Sequence, residues 1–233
     1  MKNIKKLYFY YSFNRTNLII LGLSIFVMLI IYNMYDFDIY TIDYMYDRNA
    51  FHSEYISSSL GVMIPISIVV IMLVLSIDYM TNKKRFDLLF LSRYSKRDLA
   101  KIKIAVYLTL SFIYVSILFM LMIIVAEIRF TDFKFDLYYL KLYVGLIIQS
   151  FVATMIIMLV MDLTGAGYSA IIALILYFLS FVIGDMNKII ATLIFIYIDI
   201  SGSILPGGII LSLIIFSIYL FLVIFGAKNE KKC

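Results

Sequence analysis

Tryptophan is absent from this chain of 233 residues, cysteine and histidine occur once each, and proline only twice. Cys233 therefore has no partner for an internal disulfide, and its Lys-Lys-Cys context lacks the prenylation pattern. His52 has no second histidine or cysteine near it, which leaves a metal site there without ligands. Glycine is sparse where it would matter for nucleotides. A phosphate-binding loop needs a glycine-rich turn ending in Lys and Ser or Thr, so that backbone amides and an ammonium hold the phosphates. Neither Gly165-Ala166-Gly167-Tyr168-Ser169 nor the stretch from Gly202 to Gly208 contains a lysine, so no ATP site and no other cofactor site is expected in this chain. The apolar runs also lack the nucleophiles, acid pairs or metal ligands of an intramembrane enzyme. Catalysis by this chain is not expected, and neither is a nucleic-acid partner.

Charge is scarce as well. Charged residues make up 15% of the sequence and hydrophobic ones 64%, a balance that excludes a soluble globular domain and points to an integral membrane protein. About 20 apolar residues in a helix cross about 30 Å of hydrocarbon. The sequence offers six such runs: Leu18 to Met34, Ser59 to Asp78, Ile104 to Ala126, Leu142 to Met161, Tyr168 to Gly184 and Gly208 to Gly226. The fold class expected is all-α, with six transmembrane helices in a single transmembrane domain over residues 1–233. Tyr32-Asn33-Met34-Tyr35 offers no small-residue cleavage site, so the first run reads as a retained helix.

What is plentiful is basic charge in one place. Lys83, Lys84, Arg85, Arg93, Lys96, Arg97, Lys101 and Lys103 stand against two acidic residues between the second and third runs. With both termini on the same side as this connector, fifteen of the twenty Lys and Arg fall on that side, which orients it to the cytoplasm of a plasma membrane. The Asn14-Arg15-Thr16 triplet then lies on the cytoplasmic side, where its glycosylation pattern has no meaning.

Two segments flank this core. Residues 1–17 place Ile4, Leu7, Tyr8 and Tyr11 at helical spacing beside Lys2, Lys5 and Lys6, the pattern of an elbow helix lying in the interface or of lysines that merely set topology. Residues 185–207 contain an apolar stretch, Ile189 to Ile198, that is too short to cross, followed by the breaker cluster Pro206-Gly207-Gly208. A re-entrant pair of short helices on the outer side is expected there.

No acidic or basic residue falls at mid-depth in any run. Coupled carriers usually need such a ligand, so any transport must draw its energy from another polypeptide. The interior offers neutral groups, among them Ser67, Thr109, Ser111, Ser116, Gln149, Thr154 and Ser180. In the connector, residues 81–103, Phe86, Leu89 and Phe90 repeat at i, i+3, i+4 amid basic residues, giving a short amphipathic helix. Ser95-Lys96-Arg97-Asp98 then reads as a capping box that opens a new helix running into the third span. The connector is thus either a helix-turn-helix lever projecting into the cytoplasm or a basic loop resting on anionic headgroups.

This layout resembles the ABC-2-type permeases, membrane subunits of bacterial ATP-binding-cassette exporters. The local resemblance runs from Asp78, the acidic end of span two, through Leu88-Leu89-Phe90-Leu91 and Ser95-Lys96-Arg97 to Lys103, with Arg93 where many members carry proline. It implies a dimer of six-helix halves, a second copy or a sister permease, each half docked on a separate ABC ATPase subunit that holds ATP and Mg. Phe86, Leu89 and Phe90 would fill the ATPase groove, with Arg93, Ser95, Lys96, Arg97 and Asp98 around them. Small permeases of this kind resemble peptide exporters and bacteriocin-immunity systems, the phenol-soluble modulin exporters among them, which favours amphipathic peptide cargo. The other reading is a non-transporting membrane scaffold or sensor that uses the basic connector to hold lipid or a regulator. Twenty tyrosines must supply the interfacial belts in place of tryptophan, and Tyr8, Tyr35, Tyr79 and Tyr143 are expected as anchors there.

Overall fold

The computed structural model describes residues 15–34, 74, 96–129, 135, 137–164, 171 and 175, and within 210–225 residues 210, 213, 214, 216–218, 220–222 and 225. Three helices are defined end to end: α1 (Arg15–Met34), α2 (Lys96–Arg129) and α3 (Leu137–Thr164). Residues 74, 171, 175 and the described positions of 210–225 are helical too, and no strand occurs among the described residues. Helices α2 and α3 are long and apolar enough to cross a membrane. The three helices cover the first, third and fourth apolar runs. The elbow segment, the connector before Lys96 and the re-entrant segment lie outside the described residues, as does most of the second and fifth runs.

Local sequence suits the start of α2. Ser95 precedes the first residue of α2, and Asp98 sits in its first turn, where a carboxylate meets free amides and the positive end of the helix dipole. α3 is described as far as Thr164. Seven residues separate α2 from α3. A link that short spans at most about 25 Å, much less than the length of either helix, so the two run antiparallel as a hairpin.

The three helices are buried to different degrees. On α1 the inward positions are Asn17, Leu21, Ser24 and Met28, a single stripe at i, i+4, i+7, i+11, while Leu18, Ile19, Leu23 and Phe26 face out. α2 buries a broader face from Leu99 to Ala126 and turns Phe112, Met120 and Ile124 outward. α3 changes along its length. Leu137, Leu140 and Val144 near its start are exposed, whereas every residue from Val152 to Met158 is buried. A helix that is apolar and enclosed on all sides occupies the centre of a bundle. Phe151 of α3 meets Phe216 of the C-terminal helical segment with ring centroids 6.1 Å apart. The large exposed apolar side chains on α1, α2 and the 210–225 segment suit hydrocarbon and not water.

Candidate functional site

The basic end of α2 is where the sequence placed function. Lys96, Arg97 and Asp98 form its first turn. Just beyond, Leu99 and Ile102 are buried while Lys101 is exposed and Lys103 half-buried, so this end already has an apolar inner face and a cationic outer one. No break separates it from the apolar stretch that follows. The 34 residues of α2 make a rod of about 51 Å against about 30 Å of hydrocarbon, which leaves about 20 Å for the interfaces and beyond. Of the other expected coupling residues, Phe86, Leu89, Phe90, Arg93 and Ser95 lie outside the described residues, and so does Asp78.

The register of the hairpin fixes where that basic end sits. Ser116 of α2 and Tyr143 of α3 are joined by a hydrogen bond of 2.6 Å between their hydroxyls. Phe119, one turn further along α2, lies against the same tyrosine ring at a centroid distance of 4.8 Å. Measured from this pair, Lys96 lies 20 residues back along α2 and Thr164 lies 21 residues on along α3, about 30 Å in each case. Lys96 and Thr164 therefore stand at nearly the same level. A tyrosine side chain leans toward the N-terminus of its helix, which places the end of α3 further out still. At this register the basic turns of α2 stand level with residues 156–163 of α3. At the opposite side α2 continues 13 residues past Ser116, whereas α3 begins only 6 residues before Tyr143, so α2 overhangs by about 10 Å. Glu127 and Ile128 are exposed on that overhang.

Tyr143, expected as an interfacial anchor, is half-buried and engaged with the middle of α2. Sequence reasoning singled out Ser116 as an interior hydroxyl but gave no signal that it pairs with Tyr143. Partners 27 positions apart cannot be found from the spacing along one helix.

Other hydroxyls of the bundle follow one rule. Ser24, Thr109, Ser116, Ser150, Thr154 and Ser217 each donate to a carbonyl three or four residues earlier, which closes the group onto its own helix and hides it from the apolar surroundings. Ser111 breaks the rule. It is 1% exposed, and its Oγ makes no hydrogen bond. A buried hydroxyl left unpaired costs roughly 1–3 kcal/mol. Tyr107 and Tyr114, buried on the same face one turn to either side, flank it. No group of His, Cys, Asp or Glu suited to a metal ion occurs among the described residues.

Compared with family models, with curated proteins and with solved structures, the chain matches none.

Proposed function

We propose that this chain is the transmembrane subunit of an ATP-driven exporter of the ABC-2 type, with six spans, both termini in the cytoplasm and a separate ATPase subunit docked on residues 81–103. Its cargo is an amphipathic peptide, and its partner half is a second copy or a sister permease. The observation that supports the reading best is the continuity of α2. One uninterrupted helix leads from the basic turn at Lys96 through the apolar stretch to Arg129. A push at the Lys96 end is carried along this rod to Ser116 and, through Tyr143, to α3 at the centre of the bundle. The absence of charge on α2 between Lys103 and Glu127 fits a conduit whose energy is supplied from outside the chain.

The matching level of Lys96 and Thr164 refines the picture of docking. An ATPase subunit bound at the connector meets the end of α3 as well as the start of α2, so both helices receive the movement directly. The test is copurification. An ATPase subunit encoded in an adjacent reading frame, recognisable by a lysine-containing phosphate loop, is coexpressed with this chain. Reversal of Arg93, Lys96 and Arg97 to glutamate abolishes its capture and the transport it drives. Undiminished capture and transport by the triple variant overturns the proposal.

A further inference from the structure

Ser111 poses a question that export by itself does not answer, because its hydroxyl had a simpler option. The carbonyl of Tyr107 stands four residues back on the same helix, and Thr109 and Ser116, on the same helix, use the equivalent carbonyls of Ala105 and Phe112. Ser111 makes no such bond although it is the most deeply buried serine of α2. Its hydroxyl is left available, turned away from the carbonyl that it could have used. Tyr107 and Tyr114 extend the same face at i−4 and i+3, so three hydroxyl-bearing side chains follow one another over about 10 Å of helix. No formal charge lies on α2 between Lys103 and Glu127 to hold an ion.

We infer that the Tyr107–Ser111–Tyr114 face of α2 is a cargo-contacting wall of the conduit, and that the Ser111 hydroxyl hydrogen-bonds a backbone amide of a peptide. The inference rests on the export reading and names the ligand and the position. A hydroxyl both donates and accepts, which matches the carbonyl and N–H of a peptide unit and selects no particular side chain. The tyrosine rings to either side take the apolar part of the cargo without requiring a charge on it. Ser111 is closed in this structure, so cargo reaches it when the packing over this face of α2 opens.

The test uses the full chain in lipid nanodiscs, with Cys233→Ser as background. Ser111→Cys is labelled by a water-soluble thiosulfonate reagent, and a short amphipathic Leu/Lys peptide slows the labelling. Thr109→Cys, on the exposed side of the same helix, is labelled slowly with or without peptide. Labelling of Ser111→Cys no faster than Thr109→Cys, or indifference to peptide, overturns the inference. Ser111→Ala supplies a second readout. The hydroxyl as cargo contact predicts a loss of peptide affinity of about fivefold, the weight of one neutral hydrogen bond at roughly 1 kcal/mol. A higher melting temperature with unchanged peptide affinity marks Ser111 as an unpaired buried group and nothing more, which overturns the inference. ATPase copurification with Ser111→Ala is measured in parallel. Retained capture with no peptide effect removes this inference alone, and loss of the ATPase interaction in wild type removes the export reading beneath it.

Discussion

Tyr143 is the donor and Ser116 the acceptor in the hydrogen bond that ties α3 to α2. Ser116 has one proton, and it is directed at the Phe112 carbonyl 2.6 Å away, so the 2.6 Å contact with Tyr143 requires the phenolic proton. The serine oxygen thereby links a backbone carbonyl of one helix to a side chain of the other. The coupling within this pair is a measurable quantity. Ser116→Ala and Tyr143→Phe each lower the melting temperature, and the double variant loses less than the sum. The expected coupling energy is about 0.6 kcal/mol, with an upper bound of about 1.7 kcal/mol, as for interhelical hydrogen bonds in membranes generally. Fully additive single effects in a thermal double-mutant cycle would contradict the linkage.

The continuity of α2 makes a prediction about coupling. Proline at Ala105, two residues past Lys103, removes a helix hydrogen bond and clashes with the carbonyl four residues back, a disturbance of about 3 kcal/mol or more. Ala105→Pro therefore separates the basic turns from the apolar stretch. In an assay that records both, the ATPase subunit still copurifies, while cargo-stimulated hydrolysis is lost. Retained stimulation would show that the rod need not be rigid.

Enclosure of α3 sets a steep cost for changes of volume. Ala153 is 0% exposed, within the stretch buried on every side. Ala153→Leu forces neighbouring side chains off their rotamers at about 1–3 kcal/mol. Met155→Ala leaves a cavity at about 2–5 kcal/mol. Both lower the thermal midpoint in detergent, and the matched exposed substitution Val144→Ala does so by much less.

Gly22 predicts the reverse sign. It is an exposed residue inside α1, and a Cβ built on it meets nothing within 4 Å. Alanine there removes backbone freedom from the unfolded chain without creating a clash. Gly22→Ala raises stability by about 0.5–1 kcal/mol, read as a higher thermal midpoint in the same detergent. A fall would mean that this face of α1 is covered in the assembled protein.

Sidedness has a direct check. Lys101 and Glu127 are both exposed and lie 26 residues apart on α2, about 39 Å along its axis. In sealed inside-out vesicles of the Cys233→Ser background, Lys101→Cys reacts with an impermeant reagent and Glu127→Cys does so only after the membrane is opened. The opposite pattern would reverse the orientation assigned from the basic residues.

The all-helical class of the described residues was legible in the sequence because long apolar runs favour helices. The expected start of the third helix at Lys96 agrees with α2, whose first turn carries Asp98, while the cap expected at Ser95 lies outside the described residues. α3 begins five residues before the expected Leu142 and ends three after Met161, since apolar composition fades gradually at both ends and marks no boundary. The hairpin register could not be read in advance. It depends on Ser116 meeting Tyr143, and the apolar residues around them fit several registers equally well. The candidate site was legible only in part. Lys96, Arg97 and Asp98 fall on one helical turn as the spacing requires, whereas the open hydroxyl of Ser111 is a matter of rotamer, and its one-letter code is shared with serines that close on their own helices.

The narrow inner stripe of α1 carries a mechanical consequence. Sliding α1 sideways disturbs one seam of side chains, Asn17, Leu21, Ser24 and Met28, whereas moving α3 disturbs contacts all around its girth from Val152 to Met158. Of the described helices, α1 is therefore the one that shifts at the least expense of packed side chains, and α3 the one that holds its place.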